Sequence, residues 1–121
     1  MIMDHKLKLM VVDDSPLFRT WLIRSLSEDD RFQIVGYAVN ALDAQEKIPL
    51  LQPDMLTLDI EMPGMSGIDF LKQLLPVHPI PVILVSSLNL RVFDALEAGA
   101  VDFVRKPDEA NGLSKEIFLS T

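Results

Sequence analysis

The residues of this sequence able to share one chemistry are the adjacent carboxylates Asp13 and Asp14, the lone carboxylate Asp59, the hydroxyl of Ser86 and the ammonium of Lys106. All of them stand where an apolar, strand-like run gives way to a loop. Carboxylates gathered at one place repel, and keeping several ionised together requires a cation. Magnesium suits such a set: it prefers octahedral oxygen coordination, retains water, and is commonly held by one or two carboxylates together with phosphate oxygens. Phosphoryl transfer asks mainly for positioning and charge stabilisation: a carboxylate in line with phosphorus, a metal on the equatorial oxygens, and donors for the remaining charge. Ser86 and Lys106 are donors of the right type. Each residue taken alone also has a plainer role. Asp14, before Ser15 and Pro16, helps to open a helix; Asp59 is a loop acid, Ser86 a helix cap and Lys106 a solvated charge. What separates the two readings is whether the chain brings these positions together.

The elements that must do so are legible as periodicity. Residues 7–12, 32–38, 55–58, 81–85 and 101–104 read as strands, and residues 17–26, 41–51, 68–75 and 90–98 carry apolar side chains at helical spacing, as in Phe18, Leu22 and Leu26. A fifth helix, residues 113–119, begins near the end and reads as cut short. Ser15 with Pro16 is an N-cap with proline at the first helical position, Ser66 with Asp69 resembles a capping box, and Gly99 is suited to a left-handed helix end. Pro49 is expected to end or kink the second helix. Strict alternation of strand and helix implies an α/β domain, a doubly wound parallel sheet of five strands with helices on both faces. In such a sheet the carboxyl ends of the strands share one edge, where ligands bind. Asp13, Asp14, Asp59, Ser86 and Lys106 then converge.

Composition narrows the classes further. A chain of 121 residues suits one domain, and no apolar run approaches the roughly 18 to 20 residues of a membrane span. With no secretory signal visible, a cytoplasmic location is expected. The absence of cysteine removes disulfides, thiolate metal sites and cysteine nucleophiles, and His5 and His78 lie too far apart in sequence to suggest a histidine metal site. A net charge of −7 disfavours direct binding to nucleic acid. It serves solubility or partner steering.

The segments Met10-Val-Val-Asp-Asp-Ser-Pro16, Leu58-Asp-Ile-Glu-Met-Pro-Gly-Met-Ser-Gly67, Val85-Ser-Ser87, Ala98-Gly-Ala100 and Lys106-Pro107 together resemble the response-regulator receiver family along nearly the whole chain. The resemblance implies a flavodoxin-like (CheY-like) sheet of order 2-1-3-4-5, with residues 1–121 as one receiver domain and any output domain beyond it. It implies Asp59 as phosphoacceptor and magnesium held by Asp13, Asp14, Asp59 and the main-chain carbonyl of Glu61. Lys106 becomes the phosphate-contacting lysine and Ser86 the switch hydroxyl; Phe103 is either the switch aromatic or a core phenylalanine. A sensor histidine kinase is the implied donor, and the chain is no enzyme beyond gaining and losing its own phosphoryl group. Within the family, Val85-Ser-Ser-Leu88 and Gly99-Ala-Val-Asp-Phe-Val-Arg-Lys-Pro107 are most similar to the regulatory domain of chemotaxis protein-glutamate methylesterases (CheB type). That similarity implies a chemotaxis kinase and regulation of a methylesterase; a transcriptional regulator or a stand-alone receiver are the alternatives. From Ser87 to Gly99 the chain is shorter than the family pattern by up to about one helical turn, in the loop or in the fourth helix. A haloacid-dehalogenase-type phosphatase also uses a strand-end aspartate and magnesium, but normally has a second aspartate two residues on, where this chain has Glu61.

Overall fold

A computed structural model describes residues 6–86 and 92–106 of the chain. In order, the elements are β1 (Leu7–Val12), α1 (Pro16–Ser27), β2 (Phe32–Ala38), α2 (Ala41–Leu51), β3 (Met55–Asp59), α3 (Gly67–Leu74), β4 (Val82–Ser86), α4 (Val92–Glu97) and β5 (Asp102–Arg105). All strand pairs are parallel and the sheet order is β2-β1-β3-β4-β5. The expected helix at residues 113–119 and the loop at residues 87–91 lie outside the described residues.

The pleat sorts the core into two layers. Successive residues of a strand face opposite sides, so Leu9 and Val11 of β1 join Leu22 and Leu26 of α1 on one face. Met10 and Val12 join Ala44 and Ile48 of α2 and Phe70, Leu71 and Leu74 of α3 on the other. Strands covered on both faces read as continuous apolar runs, which is why Leu9 through Val12 show no alternation. Phe70 is wholly buried, and its truncation to alanine would cost about 3–5 kcal/mol.

Polar caps fix where the helices begin. The Ser15 hydroxyl accepts the Phe18 N–H at 3.3 Å, and Ser66 accepts the Asp69 N–H at 3.2 Å. At α2 the cap is Asn40, which accepts the Asp43 N–H at 2.8 Å while the Asp43 carboxylate accepts the Val39 N–H at 3.0 Å. Proline at position 49 does not end α2. Only one N–H is lost there; the helix runs on to Leu51, and Gln52 then turns left-handed (φ 49°) and donates its N–H to the Ile48 carbonyl at 2.8 Å. Gly99 has φ +107°, the conformation expected of it after α4.

Two strand boundaries matter for function. β3 and β4 each extend one residue beyond the apolar run, so Asp59 and Ser86 are the last rungs of the ladder rather than loop residues. Asp59 stands opposite Val85 in the parallel register, and the Ile60 N–H reaches the Val85 carbonyl at 3.0 Å. Side chains at these positions inherit the rigidity of the sheet.

Candidate functional site

At the carboxyl end of β1, the Asp13 N–H continues the ladder to the Ala38 carbonyl (3.0 Å), and the Arg19 guanidinium holds the Asp13 carbonyl at 2.9 Å. The Asp13 side chain is buried. One oxygen accepts the Ser15 N–H at 2.8 Å, and the other faces the Lys106 ammonium at 3.2 Å. Asp14 is exposed beside it. Across the sheet, Asp59 is also buried: its Oδ1 accepts the Glu61 N–H at 3.3 Å and lies 3.4 Å from Lys106 Nζ. Its Oδ2 is buried and accepts no hydrogen bond from the described residues. A buried carboxylate oxygen without a donor is costly unless something binds there.

Lys106 is aimed by its backbone. Its N–H donates to the Ser86 carbonyl at 2.7 Å, extending the β4–β5 ladder one step past β5, so the ammonium is delivered between Asp13 and Asp59. The ammonium also stands 4.5 Å from the centroid of the Phe18 ring, a cation–π contact, and that ring stacks on Trp21. Phe18 reads in the sequence only as part of a helical apolar stripe, so nothing there distinguishes it as a neighbour of the lysine.

Ser86 is fully buried at the end of β4, and its hydroxyl donates to the carboxylate of Glu61. Sequence reasoning expects a contribution from Glu61 only through its main-chain carbonyl. The structure adds a side chain that spans from the loop after β3 to the end of β4. Gly67 is a second residue the sequence does not single out. A Cβ there would lie 2.2 Å from the Asp59 carbonyl oxygen, and the Gly67 N–H donates to the Ile60 carbonyl at 2.9 Å. The start of α3 is therefore pressed directly against the strand end that carries Asp59. Phe103 is not gathered with these groups; it is half-buried on β5 and packs against the layer under α2 and α3.

Electrostatics follow from the Asp13 and Asp59 carboxylates facing one ammonium, with Asp14 and Glu61 beside them. Burial pushes the Asp59 carboxyl up to about 7; the charge of Asp13 adds to this, Lys106 opposes it, and hydrogen bonding of the protonated acid to Asp14 and the charge of Glu61 raise it further. Asp13 is also raised, chiefly by burial, against the Ser15 N–H and Lys106, which favour its ionised form. One carboxylate oxygen from each of Asp13, Asp14 and Asp59 lies within 4.8 Å of the others. Three converging carboxylate oxygens, two of them from buried residues, fit a hard divalent cation.

Residues 9–118 match the response regulator receiver domain family. Among curated proteins, the chain is 48% identical over 116 residues to protein-glutamate methylesterase/protein-glutamine glutaminase 2 of Syntrophomonas wolfei, covering 96% of this chain and 34% of that protein. The chain thus spans about a third of the length of the curated relatives it matches. Among solved structures it superposes on the response regulator domain of Thermotoga maritima CheB with a TM-score of 0.82 and 38% identity, covering 93% of this chain and 87% of that one. It is also similar to a chain of the CheX–CheY–BeF3–Mg complex of Borrelia burgdorferi, with a TM-score of 0.77, 30% identity and coverage of 95% and 90%.

Proposed function

Because the chain belongs to the response regulator receiver domain family and is homologous to the regulatory domain of CheB methylesterases, we propose that Asp59 accepts a phosphoryl group from the phosphohistidine of a sensor kinase. On this reading the whole chain serves as one receiver unit, in the cytoplasm, its kinase belongs to a chemotaxis system, and its output is control of a methylesterase unit in the parent protein. The observation that carries the assignment is Asp59 Oδ2: a buried oxygen that accepts no hydrogen bond from the described residues, on a carboxylate whose other oxygen faces Lys106 at 3.4 Å.

In the proposed step a lone pair of the Asp59 carboxylate forms the new P–O bond as the P–N bond of the donor breaks; the imidazole leaves with that electron pair and takes up a proton. Magnesium, held by Asp13, Asp14, Asp59 and the Glu61 carbonyl, would neutralise charge on the transferring group. Lys106, already fixed between two carboxylates, is positioned to turn its ammonium toward a phosphoryl oxygen, and Ser86 offers a hydroxyl donor from the adjacent strand. Asp59 must be ionised to attack, and its raised proton affinity makes that ionisation depend on the neighbouring positive charge. The chain's own chemistry is then limited to gaining and losing the phosphoryl group. The dehalogenase-type alternative finds no support: the chain belongs to the receiver family, and the Glu61 carboxylate is engaged by Ser86.

Incubation with magnesium and acetyl phosphate should add one phosphoryl group, which mass spectrometry locates at Asp59. Asp59→Asn should abolish the label. A label of equal stoichiometry in that variant would refute the assignment.

A further inference from the structure

Glu61 lies on the loop just past β3, and its main-chain N–H is tied to Asp59 Oδ1 at 3.3 Å. From that anchor its side chain reaches the last residue of β4 and accepts the Ser86 hydroxyl hydrogen. Ser86 is fully buried, so its hydroxyl has no access to bulk water in this arrangement. A serine hydroxyl has one hydrogen to donate. Donated to Glu61, it is not available to a phosphoryl oxygen on Asp59.

We propose that the Glu61 carboxylate is a built-in competitor for the phosphoryl group, holding the Ser86 hydroxyl in the unmodified protein so that phosphorylation proceeds by exchange of one anionic acceptor for another. This rests on the reading of Asp59 as phosphoacceptor and deepens it. Glu61 is here a positioning residue that acts through Ser86. The exchange sets how much of the Ser86 interaction appears as net affinity for the phosphoryl group: a hydrogen bond formed at the cost of an equivalent one contributes little. It also separates two effects that removal of Glu61 would combine. The first is general relief of negative charge around Asp59. The second is specific release of the serine hydroxyl, and only this one requires Ser86.

The test is a double-mutant cycle on the full chain, measuring beryllofluoride affinity by calorimetry in saturating magnesium, with Glu61→Ala, Ser86→Ala and their combination. Glu61→Ala should tighten binding by about 10-fold when Ser86 is present, the scale of one charge-assisted hydrogen bond set free. In the Ser86→Ala background the same change should tighten it only about 2-fold, the residue of charge relief. Glu61→Gln, which keeps the shape and a weaker neutral acceptor, should fall between wild type and Glu61→Ala. An equal factor in both backgrounds overturns the competition while leaving Asp59 as the acceptor. Beryllofluoride binding that survives Asp59→Asn unchanged overturns the phosphoacceptor reading, and the competition with it.

Discussion

At Asp59, burial and the charges of neighbouring acids act together to favour the protonated form, raising the carboxyl from 3.8 to about 7. A raised acid binds its proton more tightly in the folded state, so the stability this contributes is full below about pH 4 and is lost as pH rises through 7. Metal-free protein should therefore lose stability between pH 4 and pH 8. Asp59→Asn should remove much of that slope and be more stable than wild type at pH 8, by on the order of 2 kcal/mol once solvent screening at the mouth of the site is allowed for. Urea unfolding in chelator across this range measures it; an unchanged slope in Asp59→Asn would contradict the raised value. Asp13, raised in the same direction, leaves a residual slope, while Asp29, held down to about 2 by Arg31, titrates below the window. Asp13, Asp14, Asp59 and Lys106 were legible in the sequence because each needs only a strand end to be placed. The Glu61 side chain and the Phe18 ring were not, because a contact across loops depends on side-chain rotamers and on helix rotation that no spacing encodes.

Helix α3 begins against the backbone of β3, and Gly67 is the reason it can. A methyl group at that position would stand 2.2 Å from the Asp59 carbonyl oxygen and 2.9 Å from both its carbonyl carbon and the Ile60 Cα, all main-chain atoms with little freedom to yield. Gly67→Ala should cost about 2–3 kcal/mol in stability and, by shifting the strand end, slow labelling of Asp59 by acetyl phosphate. Gly64 gives the contrast: it has φ +86° with open space around it, so Gly64→Ala should cost only about 1 kcal/mol and leave labelling unchanged. Thermal midpoints and labelling rates for the two variants check both; equal loss of labelling would place the sensitivity in the loop rather than in the helix–strand contact. Among the described residues, periodicity marks the helices and strands with little error, because amphipathic stripes and doubly covered strands leave strong patterns. The misjudged points are local. The ends of β3 and β4 carry polar side chains that break the apolar run while the backbone ladder continues, and α2 accommodates Pro49 because only one N–H is lost so near its end.

Across the whole molecule, the winding of the sheet creates the site. β1 and β3 are neighbours although α1, β2 and α2 separate them in sequence, so the ends carrying Asp13 with Asp14 and Asp59 meet where the winding reverses. Alternating elements predict a parallel doubly wound sheet, but not this order of strands, which came from resemblance alone. The order also concentrates negative charge at one edge of a chain whose net charge is already −7. A cation bound there offsets repulsion between Asp59 and the Asp13–Asp14 pair, which the unfolded chain keeps far apart. Magnesium should therefore raise the thermal midpoint of the full chain by mass action, contributing about 1.4 kcal/mol when present at ten times its dissociation constant. Asp14 isolates the effect, because it is exposed and its removal takes little from the core. In Asp14→Ala the metal-free midpoint should stay close to that of wild type, and most of the gain from magnesium should disappear. Calorimetric scans with and without the metal decide it: if wild type and Asp14→Ala gain alike, the cation does not use Asp14, and the three-carboxylate site must be reduced to Asp13 and Asp59.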